Sequence, residues 1–144
     1  MKKSFALSRS IASVFIPLRT KIINPGFLKR KYAAYVINTQ PKGFVVERRY
    51  NQFLEFRKEL VRLNPGYIIA PIPKKKSGKK FEPEFLNKRR KQLQLFLNDA
   101  LRHPLLRSDE ILVQFLSLNS KDWENRAKLS QNCLVLMILL KSEL

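Results

Sequence analysis

At residue 50 the spacing of apolar residues in this 144-residue chain changes. Before it, Phe44-Val45-Val46 is a short aromatic and β-branched run of the kind that forms a strand. After it, Phe53, Phe56, Leu60 and Leu63 recur at helical spacing. The residues at the change are Glu47-Arg48-Arg49-Tyr50-Asn51-Gln52-Phe53, so a strand runs into a helix with hardly a linker, and Asn51 is expected to cap that helix. Guanidinium groups at such a corner can grip a phosphate through two parallel hydrogen bonds, and the neighbouring tyrosine offers a flat face. Read alone, the same residues also fit two solvated edge charges and a half-buried anchor.

The rest of the chain arranges itself around that corner. Residues 1–7 read as a basic tail. Ile11, Val14, Phe15, Ile16, Ile22 and Ile23 predict a first strand over 11–23, with Pro17 a bulge, an edge or a break. Asn24-Pro25-Gly26 is a turn, Lys31 to Thr39 a second strand, and Gln40-Pro41-Lys42-Gly43 a hairpin-type turn into a third strand, Phe44 to Tyr50. Three strands with short links make an antiparallel meander. The helix from Asn51 to Leu63 stops at Asn64-Pro65-Gly66. An extended Tyr67–Pro73 segment follows, then the basic loop Lys74-Lys75-Lys76-Ser77-Gly78-Lys79-Lys80. Pro83 suits the first position of a second helix that runs to about Arg102.

That second helix has a stripe of Leu86, Leu93, Phe96, Leu97, Ala100 and Leu101. Arg89 interrupts it, four residues before Leu93, and is either a snorkelling side chain or a group aimed into a groove. Arg90 and Lys91 read as solvated. His103-Pro104 ends the helix, and Ser108-Asp109-Glu110 caps a short one that buries Ile111, Leu112, Phe115 and Leu116. Asn119 to Asp122 can cap a last helix through about Lys141, packed onto the domain by Trp123. The expected fold is α+β: a three-stranded antiparallel meander against a helical subdomain, with a proline-rich loop between the first two helices.

Composition narrows the function. Lys and Arg number 29 against 11 acids, a formal +18, which calls for an anionic partner: a membrane surface, a nucleic acid or another acidic surface. The 44% hydrophobic content is that of a chain with a core. A single cysteine, Cys133, leaves no internal disulfide and fits a reducing compartment. The longest apolar run, Leu134 to Leu140, falls far short of the ~20 residues of a membrane helix. Met1 to Val46 holds no acid, and Ser4, Ser8, Arg9, Ser10 and Ser13 give the start a transit-peptide flavour. The acid-free stretch runs well past any cleavage site and is read as part of the domain. With one histidine, no cysteine–histidine cluster and isolated glycines, neither a metal nor a nucleotide cofactor is expected. The chain reads as a binding module and not an enzyme.

Four stretches together resemble the PX (phox homology) domain of sorting nexins. They are Arg48 to Phe53; Pro65-Gly66 through Pro71-Ile72-Pro73-Lys74-Lys75; Arg89 through Leu93-Gln94-Leu95-Phe96-Leu97; and His103-Pro104-Leu105. The resemblance covers about residues 8–118 and leaves 119–144 as a C-terminal helix or apolar segment. It implies a module that binds phosphatidylinositol 3-phosphate in anionic membranes, cytoplasmic and peripheral on endosomes. By position, Arg49 would hold the 3-phosphate, Tyr50 would stack on the inositol ring, Lys75 would reach the 1-phosphate and Arg89 the 4- and 5-hydroxyls. Lys74, Lys76, Lys79 and Lys80 would supply membrane attraction, and Phe81 would insert. The alternatives are a basic nucleic-acid-binding protein and an adaptor that uses the apolar C-terminal segment for protein partners.

Overall fold

Residues 11–126, which the computed structural model of the chain describes, begin with four strands: β1 (Ile11–Phe15), β2 (Lys21–Ile23), β3 (Tyr32–Pro41) and β4 (Val45–Arg49). All pair antiparallel to β3. Ala34 is the partner of both Lys21 and Arg49, so β2 and β4 lie on opposite edges of β3, and β1 continues the β2 edge. The single first strand expected over 11–23 is therefore two short ones, broken around Pro17. Proline has no N–H for the ladder and a fixed φ, so pairing stops there and resumes at Lys21. Gln40 and Pro41, read as the start of the turn, belong instead to β3 and pair with Ser13 and Ile11; the α+β meander is otherwise as the sequence predicts.

Helix α1 (Tyr50–Leu63) starts one residue earlier than expected, and its N-cap is Arg49, not Asn51. The Arg49 N–H donates to the side-chain oxygen of Gln52 at 2.9 Å, so the glutamine three residues on fixes where the helix begins. Helix α2 (Pro83–Arg102) has the bounds read from sequence, and α3 (Glu110–Ser117) is capped by Asp109. Asn119 accepts from the Asp122 N–H at 2.9 Å and opens a helical segment over residues 120–126. Phe53, Phe56 and Leu60 of α1, Leu93 and Phe96 of α2 and Phe115 of α3 pack with Tyr35 and Ile37 of the sheet. Phe56 stacks on Phe115 with centroids 4.2 Å apart, and Trp123 meets both rings edge-on. The packed body thus continues past residue 118 to Trp123. The N-terminal tail, Cys133, the run Leu134 to Leu140 and the rest of the last helix lie outside the described residues.

Two arginines are structural: Arg48, which the sequence left open, and Arg90, which it read as solvated. Alternation along β4 sends Arg48 and Arg49 to opposite faces, and Arg48 is 0% exposed. Its guanidinium lies 5.1 Å from the Phe115 centroid and 5.3 Å from that of Trp123, and it donates to the Leu118 carbonyl at the end of α3. Helix-end carbonyls need a donor and aromatic faces attract a cation, so this charge has partners in the core. Burial, with Arg126 acting the same way, pushes Arg48 down to about 10, which leaves it charged at neutral pH.

Arg90 belongs to a second device. Arg90, Gln94 and Asn98 stand at four-residue intervals on α2 and bond the outer edge of the first strand. Val14 N–H donates to Asn98 Oδ1 (2.9 Å) and Val14 O accepts from Asn98 Nδ2 (3.0 Å). Ile16 N–H donates to Gln94 Oε1 (2.8 Å) and Ile16 O accepts from Arg90 Nη1 (2.7 Å). Four helical residues rise about 6 Å and two strand residues about 6.6 Å, so the two repeats nearly match.

Arg48→Ala should therefore cost roughly 2–4 kcal/mol, from a cavity beside Trp123 and an unpaired Leu118 carbonyl. Arg48→Met should recover part of that by refilling the space. Denaturant unfolding of the two variants checks this; a loss under about 0.5 kcal/mol for the alanine would return Arg48 to the class of solvated charges.

Candidate functional site

The β4–α1 corner, the β2–β3 turn, the lysine loop and the first turns of α2 enclose a cleft of about 240 Å³. Arg49, Tyr50, Lys75 and Arg89, far apart in sequence, all line it. Lys76, Lys80 and Phe81 line it as well. Lys74 and Lys79 do not: Lys74 lends its backbone carbonyl, which accepts from Arg89 Nη2 at 3.0 Å, and Lys79 pairs with Glu82 at 3.8 Å.

Each group is placed by a local cause. Strand alternation turns Arg49 away from Arg48, and its guanidinium stands 5.7 Å from the Tyr32 ring and 3.9 Å from the Glu124 carboxylate. Tyr50 opens α1, and its hydroxyl donates to the Pro73 carbonyl, which ties the proline-rich segment to the corner. Arg89 shares the phase of Leu93, but near the start of α2 the inward direction leads into the cleft and not the core. It is 7% exposed, with its guanidinium 4.0 Å from the Tyr50 centroid and 4.4 Å from that of Phe85. Arg89 therefore does not snorkel. One face of Tyr50 thus carries the Arg89 guanidinium, where the resemblance implied the inositol ring.

The electrostatics favour an anion. No carboxylate is among the lining side chains. Among the described residues, four buried polar atoms have no hydrogen-bond partner: the Tyr35 hydroxyl and Arg89 Nε by the cleft, and Arg48 Nε and Trp123 Nε1 in the core. Burial raises the Tyr35 and Tyr50 hydroxyls above the usual phenol value, with Arg89 pulling both back, so both stay protonated donors.

Sequence reasoning missed Arg30, Lys31 and Tyr32, which form the wall next to Arg49. The usable signal was the meander itself: antiparallel pairing sets the start of β3 beside the end of β4. Phe81 is half-buried, with Lys31 at 5.1 Å and Lys80 at 5.6 Å from its ring. Phe27 and Leu28, in the turn that carries Arg30 and Lys31, are 102% and 92% exposed. Such full exposure of two adjacent large apolar side chains is a stronger interfacial signal than Phe81. Among the described residues, no helix is long and apolar enough to cross a membrane. His103 is structural: its Nδ1 accepts from the Leu105 and Leu106 N–H groups.

Comparison with known proteins gives the same direction. The family model described as PX domain matches residues 36–119. Human sorting nexin-8 is 34% identical over 103 residues, which is 72% of this chain and 22% of that protein. Sorting nexin MVP1 of Kluyveromyces lactis is 35% identical over 133 residues, 88% of this chain and 26% of that protein. The chain thus spans about a quarter of the length of the curated relatives it matches. The X-ray structure of a designed CISK-PX domain superposes with a TM-score of 0.61 at 30% identity, covering 72% of this chain and 97% of that one.

Arg89→Leu separates a cleft group from a strut. It removes the bond to the Lys74 carbonyl but places an apolar side chain in phase with Leu93, so stability should change by no more than about 1 kcal/mol. Thermal melting checks this, and a loss of about 3 kcal/mol would put Arg89 beside Arg48 as a structural charge.

Proposed function

The chain belongs to the PX-domain family, and on that premise we propose that it is a phosphoinositide-binding module that brings its protein to endosomal membranes for sorting, with phosphatidylinositol 3-phosphate as ligand. The observation that carries the reading is the convergence of Arg49, Tyr50, Lys75 and Arg89 on one cleft free of lining carboxylates. Arg49 is the phosphate anchor: it is partly exposed, at a chain corner, with a planar fork suited to a phosphate monoester. Lys75 meets the phosphodiester as a point charge. Arg89, held over Tyr50, turns its remaining N–H groups to the ring hydroxyls. Tyr50 acts here chiefly as the platform under Arg89 and the tie to Pro73.

Orientation on the membrane follows from the same face. The exposed pair Phe27–Leu28 closely precedes Arg30 and Lys31 of the cleft wall, and the lysine loop supplies Lys75, Lys76 and Lys80 to the lining. Apolar side chains enter the headgroup boundary while lysines gain roughly 1 kcal/mol each near an anionic surface. The ligand then reaches the cleft from the bilayer side.

Liposome binding tests both parts. Arg49→Ala should lose about 2–5 kcal/mol of affinity for phosphatidylinositol 3-phosphate vesicles and keep its fold. Arg48→Ala is not a control for it, since that variant is destabilised. Neutralising Lys74 and Lys79, the loop lysines whose side chains lie outside the cleft lining, should weaken binding to all anionic vesicles and flatten its salt dependence, with headgroup preference intact. Equal binding of Arg49→Ala and the native protein refutes the anchor. Binding that tracks charge alone, with no headgroup preference, favours the nucleic-acid alternative.

A further inference from the structure

Arg49 lines two cavities. One is the cleft; the other is a recess of about 60 Å³ whose lining includes Glu47, Gln52 and Glu124. Glu47 is engaged by Lys21 in an ion pair. Glu124 is turned to Arg49: its Oε1 stands 3.9 Å from Arg49 Nη2 and accepts from Gln52 Nε2 at 3.2 Å. Gln52 is itself fixed, 4% exposed, with its Oε1 taken by the Arg49 N–H. The three residues close a ring: the Arg49 backbone holds Gln52, Gln52 holds Glu124, and Glu124 attracts the Arg49 guanidinium.

Contacts away from the cleft bring Glu124 there. The Leu118 carbonyl is held by the buried Arg48, the Ser120 hydroxyl donates to the Glu47 carbonyl at 3.0 Å, and Trp123 is buried against Phe56 and Phe115. The next residue in the chain is thereby set beside the first turn of α1. An ion pair whose side chains are 43% and 57% exposed contributes little to folding, so stability does not account for a carboxylate that a buried amide holds in place. The conformational freedom of a long arginine does, because that freedom is lost on binding unless it has been given up beforehand.

We propose that Glu124 is a positioning residue for Arg49: from the recess it restrains the guanidinium, so that the donors left over face the cleft before a phosphate arrives. This rests on the reading of Arg49 as the phosphate anchor, and it extends the site past residue 119, where the match to the PX-domain model ends. A planar fork gains from being aimed, where a lysine ammonium would not. Charge alone predicts the reverse, since an acid beside the anchor repels a phosphate, and the two effects therefore differ in sign.

Calorimetric titration with soluble short-chain phosphatidylinositol 3-phosphate, at about physiological salt, reads that sign without membrane attraction. Glu124→Gln keeps an acceptor for Gln52 and removes only the charge, and its melting temperature should stay within about 2 °C of native. Its affinity should fall about three- to tenfold, although the chain has become more positive. In the Arg49→Lys background, which has no fork to aim, the same substitution should bring no loss. Equal or tighter binding by Glu124→Gln, or the same fold-loss in the Arg49→Lys background, overturns the positioning role. Failure of the anchor reads out separately, as native-like binding by Arg49→Ala with Glu124 intact.

Discussion

Three polar side chains, one helical turn apart, hold α2 against the outer edge of the first strand. Arg90, Gln94 and Asn98 take the places that another strand would fill, and much else follows from that docking. With α2 fixed along β1, the residue before Arg90 has one direction available, over Tyr50. Arg89 then holds the Lys74 carbonyl, and Tyr50 holds that of Pro73. The lysine loop is thereby moored at its entrance by two side chains from two helices. The bonds of Arg90, Gln94 and Asn98 that set this arrangement lie outside the cleft lining.

Both pairs of adjacent arginines divide their labour, by different geometry. In β4 the two-residue period puts Arg48 into the aromatic core and Arg49 into the cleft. In α2 adjacent residues are about 100° apart, which directs Arg89 to the cleft and Arg90 to the sheet edge. In each pair the structural member bonds main-chain carbonyls: Arg48 those of Glu47 and Leu118, Arg90 that of Ile16. The cleft member lines the cleft. A positive chain can in this way use its own excess charge as mortar.

How much of this the sequence shows depends on whether the cause is local. The limits of α2 are legible because Pro83 and His103-Pro104 punctuate it, and Arg89 because a charge breaks an apolar stripe. The convergence of Arg49, Tyr50, Lys75 and Arg89 follows from the resemblance and is what the cleft contains. Arg48 could not be assigned, since alternation gives two faces without saying which one the helices cover. Arg90 was misread because its partner is backbone of a strand 74 residues away. Its four-residue repeat with Gln94 and Asn98 was visible, but a polar stripe is ordinarily the wet side of a helix. Arg30 and Lys31 enter the cleft through strand pairing, which a reading along the chain does not supply.

The bonds from α2 to the first strand also fix an order of events during synthesis. Val14 waits for Asn98, a separation of 84 residues, before its backbone groups are matched on that side. On a ribosome, the sheet therefore emerges with one long margin bare until nearly the whole of α2 has followed. Contacts of such span are slow to form and leave a pairing edge open meanwhile. A chain that stops in the lysine loop lacks all three side chains of that selvedge, and the backbone groups of Val14 and Ile16 are left without those partners.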